Sequence, residues 1–128
     1  MIRWRGYLDS SGSIAVEVAI LLPVVLLFVL GLAEFGRAIW TKATLNYAVE
    51  AAARCSVVDA NLCGSAGQTQ SYAASRAAGL SIPASLFTVS TAGCGTQVSV
   101  TVPFEFVAQG MLPYTLSLTA TACYPAQM

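Results

Sequence analysis

The sequence predicts an α+β protein: a long N-terminal transmembrane-plus-stalk helix, a second short helix and a small antiparallel β-sheet head. Three observations carry this expectation. From Ile14 to Ala33 the chain runs with Glu17 as its single charge. Helix-compatible sequence then continues to about Ser56 but turns amphipathic. Beyond Leu86, three segments rich in Thr, Val and aromatic residues partly alternate between apolar and polar positions.

The apolar run is the dominant element. Twenty helical residues span about 30 Å, the thickness of a bilayer's hydrocarbon core. Composition agrees: the chain is 56% hydrophobic and 9% charged, with a mean hydropathy of +0.70. Soluble domains carry roughly 25% charged residues, so this composition requires a membrane or a partner. With 128 residues there is room for one domain plus one span. The formal net charge is zero, which gives no electrostatic reason to expect nucleic acid.

The sequence contains no histidine. That removes the commonest general base and the commonest neutral metal ligand. The carboxylates beyond the apolar run, such as Glu50, Asp59 and Glu105, are scattered, and no glycine-rich loop joins a strand to a helix. No catalytic group, metal or cofactor is therefore expected. Four cysteines, Cys55, Cys63, Cys94 and Cys123, all follow the apolar run, and none forms a C-x-x-C pair. Without such a pair zinc-ribbon and thioredoxin readings are poor, and an even count in a small extracytoplasmic domain favours two disulfides, with three possible connectivities, over free buried thiols.

Arg3 and Arg5 precede the span, which predicts a cytoplasmic N-terminus. Arg37 and Lys42 follow it closely and weaken that rule. The cysteines decide the orientation, because their side is the oxidising one. Three readings of the apolar run stay open on the residues alone. It is a secretory signal peptide cut after Gly31-Leu32-Ala33, a plain signal anchor, or a prepilin-type helix cut on its cytoplasmic side and retained. The third draws on the spacing of Gly12, Ser13-Ile14-Ala15-Val16 and Glu17 ahead of the apolar run. Pro23 inside the span removes one backbone hydrogen bond, which membrane helices tolerate.

Type IV prepilins and their relatives carry such a glycine and such a glutamate. More specifically, the run from Ser11 to Ser56 resembles the TadE-like pseudopilins, minor components of the Tad (tight adherence, or Flp) pilus system. Gly12, Ala15-Val16-Glu17, Pro23, Gly31, Glu34-Phe35-Gly36-Arg37 and Glu50-Ala51-Ala52-Ala53-Arg54 carry the likeness. Val18 stands where major Flp pilins usually have an aromatic residue, which favours a minor subunit.

The resemblance implies cleavage between Gly12 and Ser13 by a prepilin peptidase. Residues 1–12 would then be a leader, 13–34 a span of the bacterial inner membrane, and 35–128 an extracytoplasmic stalk and head. It also implies that Glu17 meets the α-amine of Ser13 on a neighbouring subunit, that Pro23 marks a bend used in assembly, and that the partners are membrane lipid, other Tad pilins and assembly-platform proteins. A surface or secreted binding module that does not polymerise is the alternative, and an enzyme of unfamiliar type is a distant third.

In the stalk, Glu34 and Arg37 are spaced either for a local ion pair or as two solvated charges. Trp40 falls near the expected interface, with Tyr47 further along. Phe35, Ile39, Leu45, Val49 and Ala52 form an irregular stripe expected to cover the sheet. Asp59 to Gly67 is expected as a loop closed by Cys55–Cys63. Ser65-Ala66-Gly67-Gln68 fits a capping box for a helix over 67–78, with Gly79 at its C-terminal cap and Pro83 preventing continuation. Tyr72, Arg76 and Leu80 share its packing face.

Strands are expected over 86–91, 96–102 and 115–124, with Ala92–Gly95 as a hairpin loop. That order brings Cys94 near Cys123. Strict alternation nevertheless sets the two on opposite faces, so either Gly93 or Gly95 forms a bulge or Cys94 stands outside the strand. Phe104, Phe106, Met111 and Leu112 form an apolar return expected to cap the core, the alternative being a contact surface.

Overall fold

The computed structural model describes residues 10–110 and 113–126. Arg3 and Arg5 in the expected leader, and Met111 and Leu112 in the return, lie outside the described residues. The chain divides into two units, Met1–Phe35 and Gly36–Met128. One helix, α1 (Ser10–Val58), runs through both. Its only internal helix-breaking residue is Pro23, and the helix is continuous there.

In the first unit every described residue from Gly12 to Ala33 is exposed. No protein atom covers Ile20 (67% exposed), Leu27 (71%) or Phe28 (67%) to any large extent. The helix is long and apolar enough to cross a membrane.

The second unit is an α+β head. After α1 come a single helical turn, α2 (Ala60–Cys63), then α3 (Ala66–Arg76), a 3₁₀ turn (Ala84–Leu86) and three strands. These are β1 (Phe87–Ala92), β2 (Gly95–Phe104) and β3 (Leu116–Tyr124), in sheet order β1-β2-β3. Both pairs are antiparallel, with Val89 opposite Val98 and Val100 opposite Ala120.

The expected alternation sets the faces. Val98, Val100 and Phe104 are buried while Thr101 and Pro103 are exposed. Thr101 and Thr119 pair across the outer face, their hydroxyl oxygens 3.1 Å apart. The inner face packs with Leu45, Ala48, Val49, Ala52 and Ala53 of α1 and with Ala73 and Ala77 at α3. Alanine at these positions lets the helix backbones approach the sheet closely. Phe87, Leu45 and Val49 are fully buried and fill the space that remains; each contributes roughly 1.5–3 kcal/mol by removal from water.

Several local expectations are corrected. Asp59 to Gly67 is not all loop, because the Asp59 carboxylate accepts from the backbone N–H of Asn61 and Leu62 at 3.0 and 3.2 Å and caps α2. The capping box at Ser65 and Gln68 is present, but α3 ends at Arg76, with Ala77 as its C-cap. Gly79 follows in a turn closed by Leu80 N–H to the Ala77 carbonyl at 3.2 Å, where its φ of 85° suits glycine. Leu86 belongs to the 3₁₀ turn rather than to β1, and β2 runs two residues further than expected, to Phe104. Phe35 (65% exposed) and Ile39 (54%) leave the expected stripe, whose covering part begins at Leu45. Phe104 is buried in β2 itself, and Phe106 is half-buried against it.

Cys94 stands outside the strands. Ala92 pairs with Gly95, so Gly93 and Cys94 form a two-residue hairpin turn. Gly95 has φ 125°, and a Cβ there would run into the Tyr124 carbonyl. Gly95→Ala is therefore expected to destabilise the head by about 1–3 kcal/mol. Gly93→Ala, where a Cβ meets nothing within 4 Å, should be near neutral. Thermal unfolding of the detergent-solubilised chain, followed by near-ultraviolet circular dichroism, compares the two.

Candidate functional site

Gly12, Ser13, Glu17 and Pro23 all lie on α1 in the first unit. Gly12 sits in the first turn of the helix, exposed, and a Cβ there would meet nothing within 4 Å. Packing within the chain thus gives no reason for glycine at this position. Ser13 and Glu17 are four residues apart and share one face of the helix. Glu17 is exposed, with Val16, Val18 and Ile20 exposed around it. A carboxylate deep in a bilayer costs roughly 2.5–3.5 kcal/mol, so a residue here calls for a partner or a nearby interface.

In the head the four cysteines are paired. Cys55 is bonded to Cys63, with Cα atoms 5.7 Å apart, and Cys94 to Cys123, with Cα atoms 6.2 Å apart. The first bond ties the end of α1 to α2. Thr69 supports it from α3: the single proton of its buried hydroxyl is shared between the Cys63 and Ser65 carbonyls, at 3.2 and 3.0 Å. The second ties the hairpin turn to the end of β3. A further link, invisible in the sequence, is Gln70, whose Nε2 donates to the Phe87 carbonyl at 2.7 Å and holds α3 to β1.

An open cleft of about 810 Å³ lies between Tyr47 and Arg54 of α1, Tyr72 and Arg76 of α3, and Tyr124 of β3. Arg76, itself exposed, stacks over the Tyr72 ring at 4.7 Å, while Tyr72 and Leu80, the latter beyond the end of α3, pack against the core. Two carboxylates line the cleft, Glu50 and Asp59, and Asp59 is engaged as the α2 cap. Among the described residues no group of three His, Cys, Asp or Glu side chains is arranged to hold a metal ion.

The features that combine are a long exposed apolar helix, a glycine that packing does not require, a carboxylate one turn on, and a small disulfide-bonded sheet. Residues 12–54 match the family of TadE-like proteins. The TadE-like region therefore takes in the apolar run and the part of α1 that covers the sheet. It stops before Cys55, and β1 to β3 lie beyond it. The pilin-like α+β architecture is that of the whole described chain. Neither the curated proteins nor the solved structures contain a match.

Non-reducing peptide mapping should recover Cys55–Cys63 and Cys94–Cys123 as linked peptides. The bonds close loops of 8 and 29 residues. On chain entropy, losing the longer should cost about 1 kcal/mol more than losing the shorter. Paired Cys→Ser variants compared by urea unfolding report that difference.

Proposed function

We propose that this chain is a minor pilin of the Tad/Flp system. It is inserted in the bacterial inner membrane as a single-pass protein with its head outside the cytoplasm. A prepilin peptidase cleaves it after Gly12, and it is needed for assembly of a pilus used in adhesion. The observation that carries this reading is the match of residues 12–54 to TadE-like proteins, on a helix whose apolar run from Ile14 to Ala33 is exposed throughout. The role is structural. Its partners are the peptidase, other Tad pilins, assembly-platform proteins and lipid.

Cleavage after Gly12 frees the Ser13 α-amine at the membrane edge. That amine lies about one helical turn from Glu17 of its own chain, and an incoming subunit's amine can neutralise Glu17 of its neighbour. In apolar surroundings both charges are costly unless paired, so the pair selects the axial register of packed helices. Pro23 leaves the Ala19 carbonyl without its helical donor and supplies a point at which the helix can bend during assembly.

Two substitutions separate the steps. Gly12→Val adds a side chain at the cleavage point without touching the fold, and should accumulate the longer precursor on gels. Normal processing of that variant would contradict the assignment of the cleavage point. Glu17→Gln should leave insertion, processing and head folding unchanged, yet abolish co-purification with the other pilins and abolish piliation. Normal association would return Glu17 to a residue that merely reaches the cytoplasmic interface.

A further inference from the structure

The three-stranded sheet has two edges, and they are not alike. β1 is engaged by α3, whose Gln70 Nε2 donates to the Phe87 carbonyl at 2.7 Å. β3 has no such neighbour: among the described residues its backbone is hydrogen-bonded to β2 and to no other element. Alternate residues of an edge strand turn their N–H and C=O groups away from the sheet, so β3 presents a row of unpaired donors and acceptors. Edge strands are ordinarily short, bulged, or interrupted by proline or charge. β3 is nine residues long, pairs with β2 in unbroken register, and contains no proline, glycine or charged residue.

The end of β3, from Thr121 to Tyr124, borders the open cleft, and α1 forms a facing wall. On that wall Tyr47, Ala51, Arg54 and Val58 follow one another at helical spacing, and Tyr47 and Val58 are more than half exposed. A groove between an edge strand and a helix suits an extended peptide. The strand edge supplies backbone hydrogen bonds, and the helix wall receives alternate side chains. The charged residues lining the groove are Arg54, Arg76, Glu50 and Asp59. The Asp59 carboxylate is taken up by the backbone N–H groups of Asn61 and Leu62. The Arg54 side chain makes no hydrogen bond or ion pair with another described residue, and Arg76 has the Tyr72 ring alone. Two guanidinium groups therefore stand against one uncommitted carboxylate, Glu50, which favours an acidic occupant.

We propose that this groove docks an extended, acidic segment of a partner protein, which adds to the free edge of β3 as a fourth strand and brings a carboxylate to Arg54 and Arg76. Apolar side chains of the segment, at alternate positions, rest against Tyr47 and Val58. The added strand supplies the cover that the uncharged edge of β3 lacks. The site lies wholly within the second unit, and it does not depend on how residues 12–33 are processed.

The test pans a display library of random peptides against the detergent-solubilised full chain with both disulfides intact. The enriched peptides should share an Asp or Glu within a run of alternating apolar residues. One such peptide is then synthesised with single N-methyl groups along its backbone. A strand added to β3 turns only every second amide toward the sheet. Methylation at those amides should weaken binding about tenfold, the loss of one hydrogen bond, and methylation at the intervening amides should change it little. This comparison leaves the protein unaltered, so folding does not enter it. Arg54→Ala and Arg76→Ala should each weaken the peptide about tenfold or more, with the near-ultraviolet circular dichroism of the head unchanged.

Failure to enrich any peptide, or enrichment of peptides without Asp or Glu, overturns the proposal. Equal effects of N-methylation at every amide mean that the peptide does not add as a strand, and overturn the docking mode. Unchanged binding by both arginine variants overturns the assignment of the carboxylate. Soluble polygalacturonate is the competing probe: if it binds through Arg54 and Arg76 while no peptide does, the groove takes an acidic saccharide and the peptide assignment is overturned.

Discussion

An apolar run that nothing in the chain covers is the constraint on which the rest of this structure depends. Ile20, Leu22, Val24, Leu26, Phe28 and Leu30 are each more than half exposed, and so are Leu21, Val25, Leu27 and Val29. Covering one such side chain is worth roughly 1.5–3 kcal/mol. Over about a dozen of them the sum exceeds the 5–15 kcal/mol that stabilises a typical domain. The run must enter lipid or pack against other helices, and a continuous helix is the conformation that satisfies its backbone there. This requirement makes Glu17 conspicuous: it spends binding energy that every neighbouring residue supplies.

The head faces the opposite difficulty. Its core is small, and much of its inner surface is alanine: Ala48, Ala52, Ala53, Ala73, Ala77 and Ala120. Alanine gives close approach but little buried area, and a small domain has little surface to bury. Local devices make up the difference. Two disulfides restrict the unfolded chain, Asp59 and Ser65 cap successive helices, and Gln70 and Thr69 close backbone acceptors between elements. A head built this way depends on an oxidising compartment to keep both bonds.

How much of this the sequence disclosed depended on the range of the interaction concerned. The apolar run, the capping box at Ser65 and the alternation of Val98, Val100 and Val102 are local signals, and each led to the correct element. The one-turn helix at Ala60 was missed, because four residues are too few to show a period. Phe35 and Ile39 continue the spacing of the stripe but are exposed, since periodicity says which residues share a face and not where that face meets the sheet. Cys94 was ambiguous until its place in a two-residue turn removed it from the strand's alternation. As a contact, Arg37 was read against Glu34, its near neighbour. Its hydrogen bond to Glu105 spans 68 positions, and no local pattern announces it. For Gly12 the residue was legible, while the structure adds that the fold does not need a glycine there.

The central claim is that the apolar helix is cut at its cytoplasmic end and kept. Amino-terminal sequencing of the protein extracted from membranes of cells that express it with its own secretion machinery tests this most directly. The account predicts Ser13 as the first residue, with the apolar run still attached. A chain beginning at Glu34 would mean that the run is a discarded signal peptide, and one beginning at Met1 would mean an uncleaved anchor; either would contradict the account.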